Sequence, residues 1–240
     1  MSASEAAGAL IGGSDMEQWL AKFITVNPAM IAMKKQVRIL HGLPTEPVLI
    51  TGPTGVGKEI IAHALARGSF MALNCAGLNP NLLESDLFGH ERGAFTDAKE
   101  RKIGALEAVG DGTVLLDEID RASLDVQAKL LRAVQEREIR RVGSCQTIKI
   151  SCRFIFTAKE TLLRMVKEHR FLPDLYGRIM TFQLNITGLN ERQEDIEPIL
   201  ASLGVPPEKR KLSQEWLEYV SMFNVRALQA YAARIKAGLE

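Results

Sequence analysis

Eight consecutive residues, Gly52-Pro53-Thr54-Gly55-Val56-Gly57-Lys58-Glu59, restrict this chain more than any other part of it. They follow Pro47–Thr51 (PVLIT), a short apolar run between turn-forming residues that reads as a buried strand. They precede IIAHALAR, which reads as a helix. The spacing G-x-x-x-x-G-K in a strand–turn–helix setting gathers backbone N–H groups around one phosphate. Glycine lets the main chain come close, and the helix N-terminus adds the positive end of its dipole. Lys58 would reach the β- and γ-phosphates of a nucleoside triphosphate. Gly52 to Glu59 are therefore candidate cofactor-binding residues, with ATP the expected cofactor. One position departs from the pattern: the Ser or Thr that usually follows the lysine, and binds magnesium, is Glu59.

A second segment fits the same chemistry. Thr113 to Glu118 (TVLLDE) is a strand-length apolar run ending in two acids. That places Asp117 where it can hold Mg2+ through water and Glu118 where it can polarise an attacking water. A DE pair after an apolar strand is common by itself; paired with the phosphate loop it becomes a candidate catalytic centre.

The rest of the chain supports an α/β fold. FMALN, TVLLDE and SCRFIFTA are further apolar runs of strand length, separated by helix-patterned sequence such as LDVQAKLLRAVQE. Strands alternating with helices predict a mainly parallel sheet flanked by helices. Ser14 to Phe23 has the spacing of a short helix, and Asn27-Pro28 reads as an N-cap followed by proline at the first helical position, starting a helix that runs to about Leu40 and ends near Gly42. After Asp195 the strands stop, and EPILASL, SQEWLEYV and NVRALQAYAARIKAG all carry helical spacing. The expected organisation is a loose arm over 1–13, an α/β P-loop subdomain over 14–195 and a helical lid over 196–240.

Composition narrows the function classes. With a formal net charge of +1 over 240 residues, no global field draws the chain to nucleic acid or an acidic membrane. No apolar run approaches the roughly 20 residues that span a bilayer, and the N-terminal stretch lacks a signal-peptide pattern, so no membrane partner is expected. Cys75, Cys145 and Cys152 form no C-x-x-C pair, which suits reduced thiols in a cytoplasmic protein.

Several motifs, in one order, carry a family resemblance: GPTGVGKE with its Glu, then LNCAGLNPNLLESDLFGHERGAFTDA (Leu73 to Ala98), GDGTVLLDEID, QAKLLRAVQE, RRVGS and LNERQEDI. Together they resemble the AAA+ ATPase domain of bacterial sigma-54-dependent transcription activators, from about Asn27 to the end of the chain. The resemblance accounts for Glu59. It implies Mg-ATP hydrolysis in a homo-oligomeric ring (a hexamer) or a mixed ring, acting on the sigma-54 RNA polymerase holoenzyme. It makes Gly93, Ala94, Phe95, Thr96, Asp97 and Ala98 the loop pressed against sigma-54, with Phe95 and Thr96 in contact. On the residues alone, Phe95 fits either an exposed binding tip or an ordinary buried anchor. The resemblance also makes Asn74 a switch residue hydrogen-bonded to Glu118, Arg178 an arginine reaching the neighbouring subunit's nucleotide, and Arg226 a nucleotide-sensing arginine of the lid.

Four departures from the family pattern stand in the chain. Asp97 replaces a glycine, changing the surface chemistry of the loop while tolerating its turn geometry. Ala158-Lys159 stands in place of Thr-Asn, and Lys159 has three outcomes open to it: the phosphate, an acid, or solvent. Leu172 replaces the first of two trans arginines. Ser221-Met222-Phe223 replaces a Trp-Pro-Gly turn, which stands to re-aim Arg226. The chain ends soon after the lid, so no DNA-binding domain of its own is expected. Three functions follow: a motor acting on sigma-54 polymerase, a motor on the same fold acting on another protein, or a hydrolysis-poor subunit that binds ATP and completes a mixed ring.

Overall fold

The computed structural model describes residues 16–43, 45–76, 80–96, 98–159 and 161–239. The arm expected over 1–13, and Asp97, lie outside them. Five strands form the central sheet: β1 (Val48–Thr51), β2 (Phe70–Asn74), β3 (Thr113–Asp117), β4 (Arg153–Ala158) and β5 (Gln183–Asn185). Their order is β2-β3-β4-β1-β5, and every neighbouring pair is parallel. The parallel order brings the carboxyl ends of β1, β3 and β4 to one rim, the edge where open α/β sheets bind ligands. Two short antiparallel ribbons lie outside this sheet, Gly89–His90 with Lys102–Ile103 and Glu138–Ile139 with Ile148–Lys149.

Strand alternation divides the core in two. Val48, Ile50, Leu115 and Ile155 face one side, where Val37 of the helix Pro28–His41 and Ile61 and Leu65 of the helix Lys58–Leu65 cover them. Leu49, Val114, Leu116, Phe154 and Phe156 face the other, against Val126 and Leu130 of the helix Leu124–Glu136. A buried guanidinium ties the first layer together. Arg153 donates to the carbonyls of Leu40 (2.8 Å) and Leu65 (2.9 Å), at the C-terminal ends of those two covering helices. Burial pushes its pKa down to about 10, still well above neutral, and helix C-termini favour a cation there.

The helix starts follow their local signals. Asn27 caps the helix Pro28–His41 by accepting from the Met30 N–H at 3.1 Å, with Pro28 in the first turn. Ser123 caps Leu124–Glu136 in the same way through Val126. The C-terminal helices Ile196–Ser202, Gln214–Phe223 and Val225–Lys236 enclose a third cluster, built on Leu189, Leu200, Val205, Val220, Leu228 and Tyr231.

One buried ion pair binds this third unit to the rest. Arg192 and Asp195 meet at 2.9 Å with side chains 1% and 0% exposed. Asp195 also accepts from Thr25 Oγ1 (2.7 Å), the Val26 N–H (2.6 Å) and the Asn27 N–H (3.1 Å), while Arg192 donates to the carbonyls of Thr187 and Val56. The pair therefore fixes the segment entering the first long helix, the start of the lid and the phosphate-loop turn to one another.

Candidate functional site

At the strand rim a cavity of about 320 Å³ is lined by Thr54 to Ile60, by Asp117, Glu118 and Lys159, by Phe23 and Ile24, and by Ile199, Leu203 and Arg226 of the lid. Three glycines shape the loop through positive φ angles that other residues rarely adopt, Gly55 (76°) and Gly57 (102°) in the cavity lining and Gly52 (149°) just before it. A Cβ on Gly52 would stand 2.3 Å from the Ile186 carbonyl oxygen, and one on Gly55 would stand 2.3 Å from that of Phe223. The glycines thus let the loop fit between β5's exit and the lid. The N–H groups of Gly55 to Glu59 find no acceptor among the described residues, and they sit at the start of the helix Lys58–Leu65. A run of unpaired donors at a helix N-terminus is a cradle for an anion.

Lys58 is 8% exposed and donates to the carbonyls of Gly52 (2.7 Å) and Pro53 (2.9 Å). Burial pushes its pKa below the usual lysine range, opposed by the nearby Asp117 and Glu118 carboxylates. Glu59 points to solvent, its side chain 76% exposed and 3.9 Å from His63 Nε2. Cys75, next along the chain from Asn74, is pushed up to about 12 by burial and by Asp117, so its thiol stays protonated and is no nucleophile.

The acids at the end of β3 have separate partners. Asp117 accepts from Thr157 Oγ1 and from Asn74 Nδ2 (3.0 Å). The expected Asn74–Glu118 hydrogen bond is absent from this arrangement. Asn74 and Asp117 are register partners on β2 and β3, so their side chains project together, whereas Glu118 has turned out of the strand in a left-handed conformation (φ 56°, ψ 49°). Lys159, for which three outcomes stood open, takes the acid: its Nζ lies 2.7 Å from Glu118 Oε1.

The lid reaches the loop through a residue that the sequence reading did not single out. Asn224 is 1% exposed, donates from Nδ2 to the Thr54 carbonyl (3.0 Å) and accepts at Oδ1 from the Leu189 N–H (2.7 Å). The next N–H, of Val225, goes to the Gly55 carbonyl at 3.1 Å. Asn224 holds φ 53° and ψ −130°, a conformation foreign to most side-chain-bearing residues, and its amide bonds keep it there. The one signal in the sequence was a polar residue between two apolar helical patterns. Arg226 lines the cavity despite the altered turn before it.

Two further sets of candidates lie elsewhere. Arg178, on the helix Pro173–Ile179, is exposed and does not line the cavity. Leu172 packs partly buried against the larger core cluster, its N–H held by Gln127 Oε1. The segment Gly93 to Ala98 closes on itself: the Gly93 N–H donates to the Ala98 carbonyl (2.8 Å) and the Ala98 N–H to that of Phe95 (2.9 Å). Gly143 lets this turn dock, since a Cβ there would lie 2.8 Å from that of Ala94. Phe95 is exposed (37%) with its ring edge-on to His90 at 4.8 Å, and Thr96 is exposed beside it.

Comparison with known proteins converges on one family. The family model described as Sigma-54 interaction domain matches residues 23–185. The chain is 45% identical over 185 residues to the regulatory protein AtoC of Escherichia coli, covering 75% of this chain and 40% of AtoC. It is 40% identical over 234 residues to the C4-dicarboxylate transport transcriptional regulatory protein DctD of Pseudomonas aeruginosa, covering 91% of this chain and 50% of DctD. It thus spans half or less of these relatives' length. Among solved structures, NtrX from Brucella abortus superposes with a TM-score of 0.74 at 28% identity, over 92% of this chain and 53% of NtrX. The same protein in complex with ATP superposes with a TM-score of 0.73 at 26% identity, over 89% of this chain and 52% of that one.

Proposed function

The chain belongs to the sigma-54 interaction domain family, and from that premise we propose that it is an ATP-binding and ATP-hydrolysing AAA+ motor that remodels sigma-54 RNA polymerase. The observation that carries this is the convergence, in one cavity, of the unpaired N–H groups of Gly55 to Glu59 with Lys58, Asp117 and Glu118. The NtrX complexes with ATP and with ADP support a nucleotide in that place.

In this reading Gly52 to Glu59 wrap the phosphates, and Lys58 exchanges its two loop carbonyls for phosphate oxygens. Phe23, Ile24, Ile199 and Leu203 give the cavity an apolar end suited to a base. The donor set also fits Mg2+ arriving on the phosphates. Asp117 supplies one carboxylate, no hydroxyl follows Lys58, and the described residues hold no cluster of three or more His, Cys, Asp or Glu that would make a protein-only cage. When bound, the ion would neutralise charge on the β- and γ-phosphates.

Glu118 accepts a hydrogen bond from the attacking water. Asn74 restrains Asp117, and Arg226 reports the nucleotide to the lid through its position beside Gly55. Arg178, outside the lining of its own cavity, serves the nucleotide of the next subunit in a ring. A subunit alone then lacks one part of the machinery. No helix among the described residues is long and apolar enough to cross a membrane, and we place the motor's work in the cytoplasm with the polymerase.

Gly93 to Ala98 is the surface we assign to sigma-54. Its tip presents Phe95 and Thr96 on a self-closed turn braced by Gly143. Sigma-54 should be retained on the immobilised protein with a non-hydrolysable ATP analogue and released with ADP. Phe95→Ala should weaken retention by about thirtyfold, the scale of an aromatic anchor worth ~2 kcal/mol. Equal retention with either nucleotide, or by the variant, would assign the motor to a different target.

A second reading, a subunit that binds ATP but hydrolyses it poorly within a mixed ring, is favoured by one observation, the Lys159–Glu118 pair.

A further inference from the structure

We propose that Lys159 is a built-in brake on hydrolysis, holding the water-activating carboxylate of Glu118 in an ion pair that must open before each turnover. The proposal rests on the nucleotide reading of the cavity and adds to it a residue that sets the rate.

The pair is constructed from both sides. Glu118 leaves β3 in its left-handed conformation with its N–H donated to Thr157 Oγ1 at 2.9 Å, on β4. Lys159 leaves β4 with its N–H donated to Asp120 Oδ1 at 3.1 Å, on the turn after β3. Each partner's main chain is thus fastened by a side chain from the other's segment. Within that brace the ammonium and the carboxylate meet at 2.7 Å, their side chains 29% and 16% exposed. Both line the cavity that holds Lys58 and the phosphate loop. Lys159 is the only ion-pair partner of Glu118 among the described residues, and Asn74, the other candidate to hold it, is engaged with Asp117.

A carboxylate can direct water at a phosphate only through an oxygen that is free to accept its hydrogen bond. Here one oxygen, Oε1, is held by the ammonium at 2.7 Å in a partly shielded place, and swinging the carboxylate toward a water means leaving that ion pair. The same ammonium cancels the negative charge that would pull on the water's proton. Binding of the phosphates themselves depends on the loop N–H groups and Lys58, which the pair leaves untouched. The expected signature is therefore specific: nucleotide is held normally and turned over slowly.

Turnover and nucleotide affinity should be measured on the full chain at concentrations that saturate assembly. Both Lys159→Asn and Lys159→Met remove the charge; the second keeps the aliphatic stem. Each should raise kcat by about tenfold, the cost of opening a partly shielded ion pair expressed as rate. The affinity for ATP, followed with a fluorescent analogue, should stay within about twofold. In a Glu118→Gln background the same substitutions should give no gain, because the braked group is gone. Nucleotide-free protein supplies a readout independent of activity: in thermal melts, Lys159→Met and Glu118→Gln should be non-additive, the double variant melting above the sum of the singles. Unchanged or lower kcat in variants that still fold and bind ATP overturns the brake while leaving the ATPase reading intact. A wild type that binds no ATP overturns both.

Discussion

Arg178→Ala should lower turnover by the assembled protein by ~10³–10⁵-fold, down to the level of a Lys58→Ala control, with no loss of nucleotide binding. The reason is positional. Arg178 stands exposed on the helix Pro173–Ile179 and does not line the cavity formed by its own chain. A cation that stabilises charge on a transferring phosphoryl group must lie within a few ångströms of it, so under the proposed ring reading this arginine serves a neighbour's nucleotide. Mixing gives the sharper readout. Lys58→Ala subunits keep Arg178, and Arg178→Ala subunits keep the phosphate loop. Combining the two inactive proteins should restore part of the turnover, and a mixture as inactive as its components would remove Arg178 from the site. Leu172 offers no substitute, because it packs against the core.

The largest loss of stability is expected from Asp195→Asn. The substitution leaves Arg192, 1% exposed, without its acid and weakens the acceptors of Thr25, Val26 and Asn27. Breaking a buried pair from one side costs about 3–5 kcal/mol. Denaturant titration at neutral pH should show that difference in unfolding free energy, with a lower midpoint. Burial pushes the Asp195 carboxyl up, but the hydrogen bonds from Thr25, Val26, Arg192 and Asn27 outweigh it, and the group titrates below an ordinary aspartate. A folded value below the unfolded one means stability that is complete above the unfolded value, about 3.9, and lost as pH falls through the folded one. The gap between wild type and Asp195→Asn should therefore be constant at neutral pH and close under acid. Because Arg192 also touches the Val56 carbonyl, the same variant should loosen the phosphate loop.

Much of the fold was legible because β1 to β4 are apolar runs of their own, bounded by turn residues. β5 was not, since Gln183–Asn185 at the sheet edge buries only Leu184 and offers no run to see. The two-residue ribbons escaped for the same reason of length. At the site, the phosphate loop and the two acids were readable because one local spacing encodes them. The pairings were not. Glu118 and Lys159 come from different strands, and only the adjacency of β3 and β4 and the left-handed turn at Glu118 bring their charges together. Asn74 likewise takes Asp117 because strand register pairs those positions. Asn224 was hidden because its role lies in two contacts across the chain, to Thr54 and Leu189.

Mg-ATP turnover per subunit, followed across a wide range of protein concentration beside Lys58→Ala, tests the central claim most directly. A motor completed by its neighbours and restrained by Lys159 should turn over slowly but measurably, with turnover per subunit rising steeply as subunits assemble. Turnover that stays flat and equal to the Lys58→Ala control at every concentration, in protein that binds ATP, would contradict it.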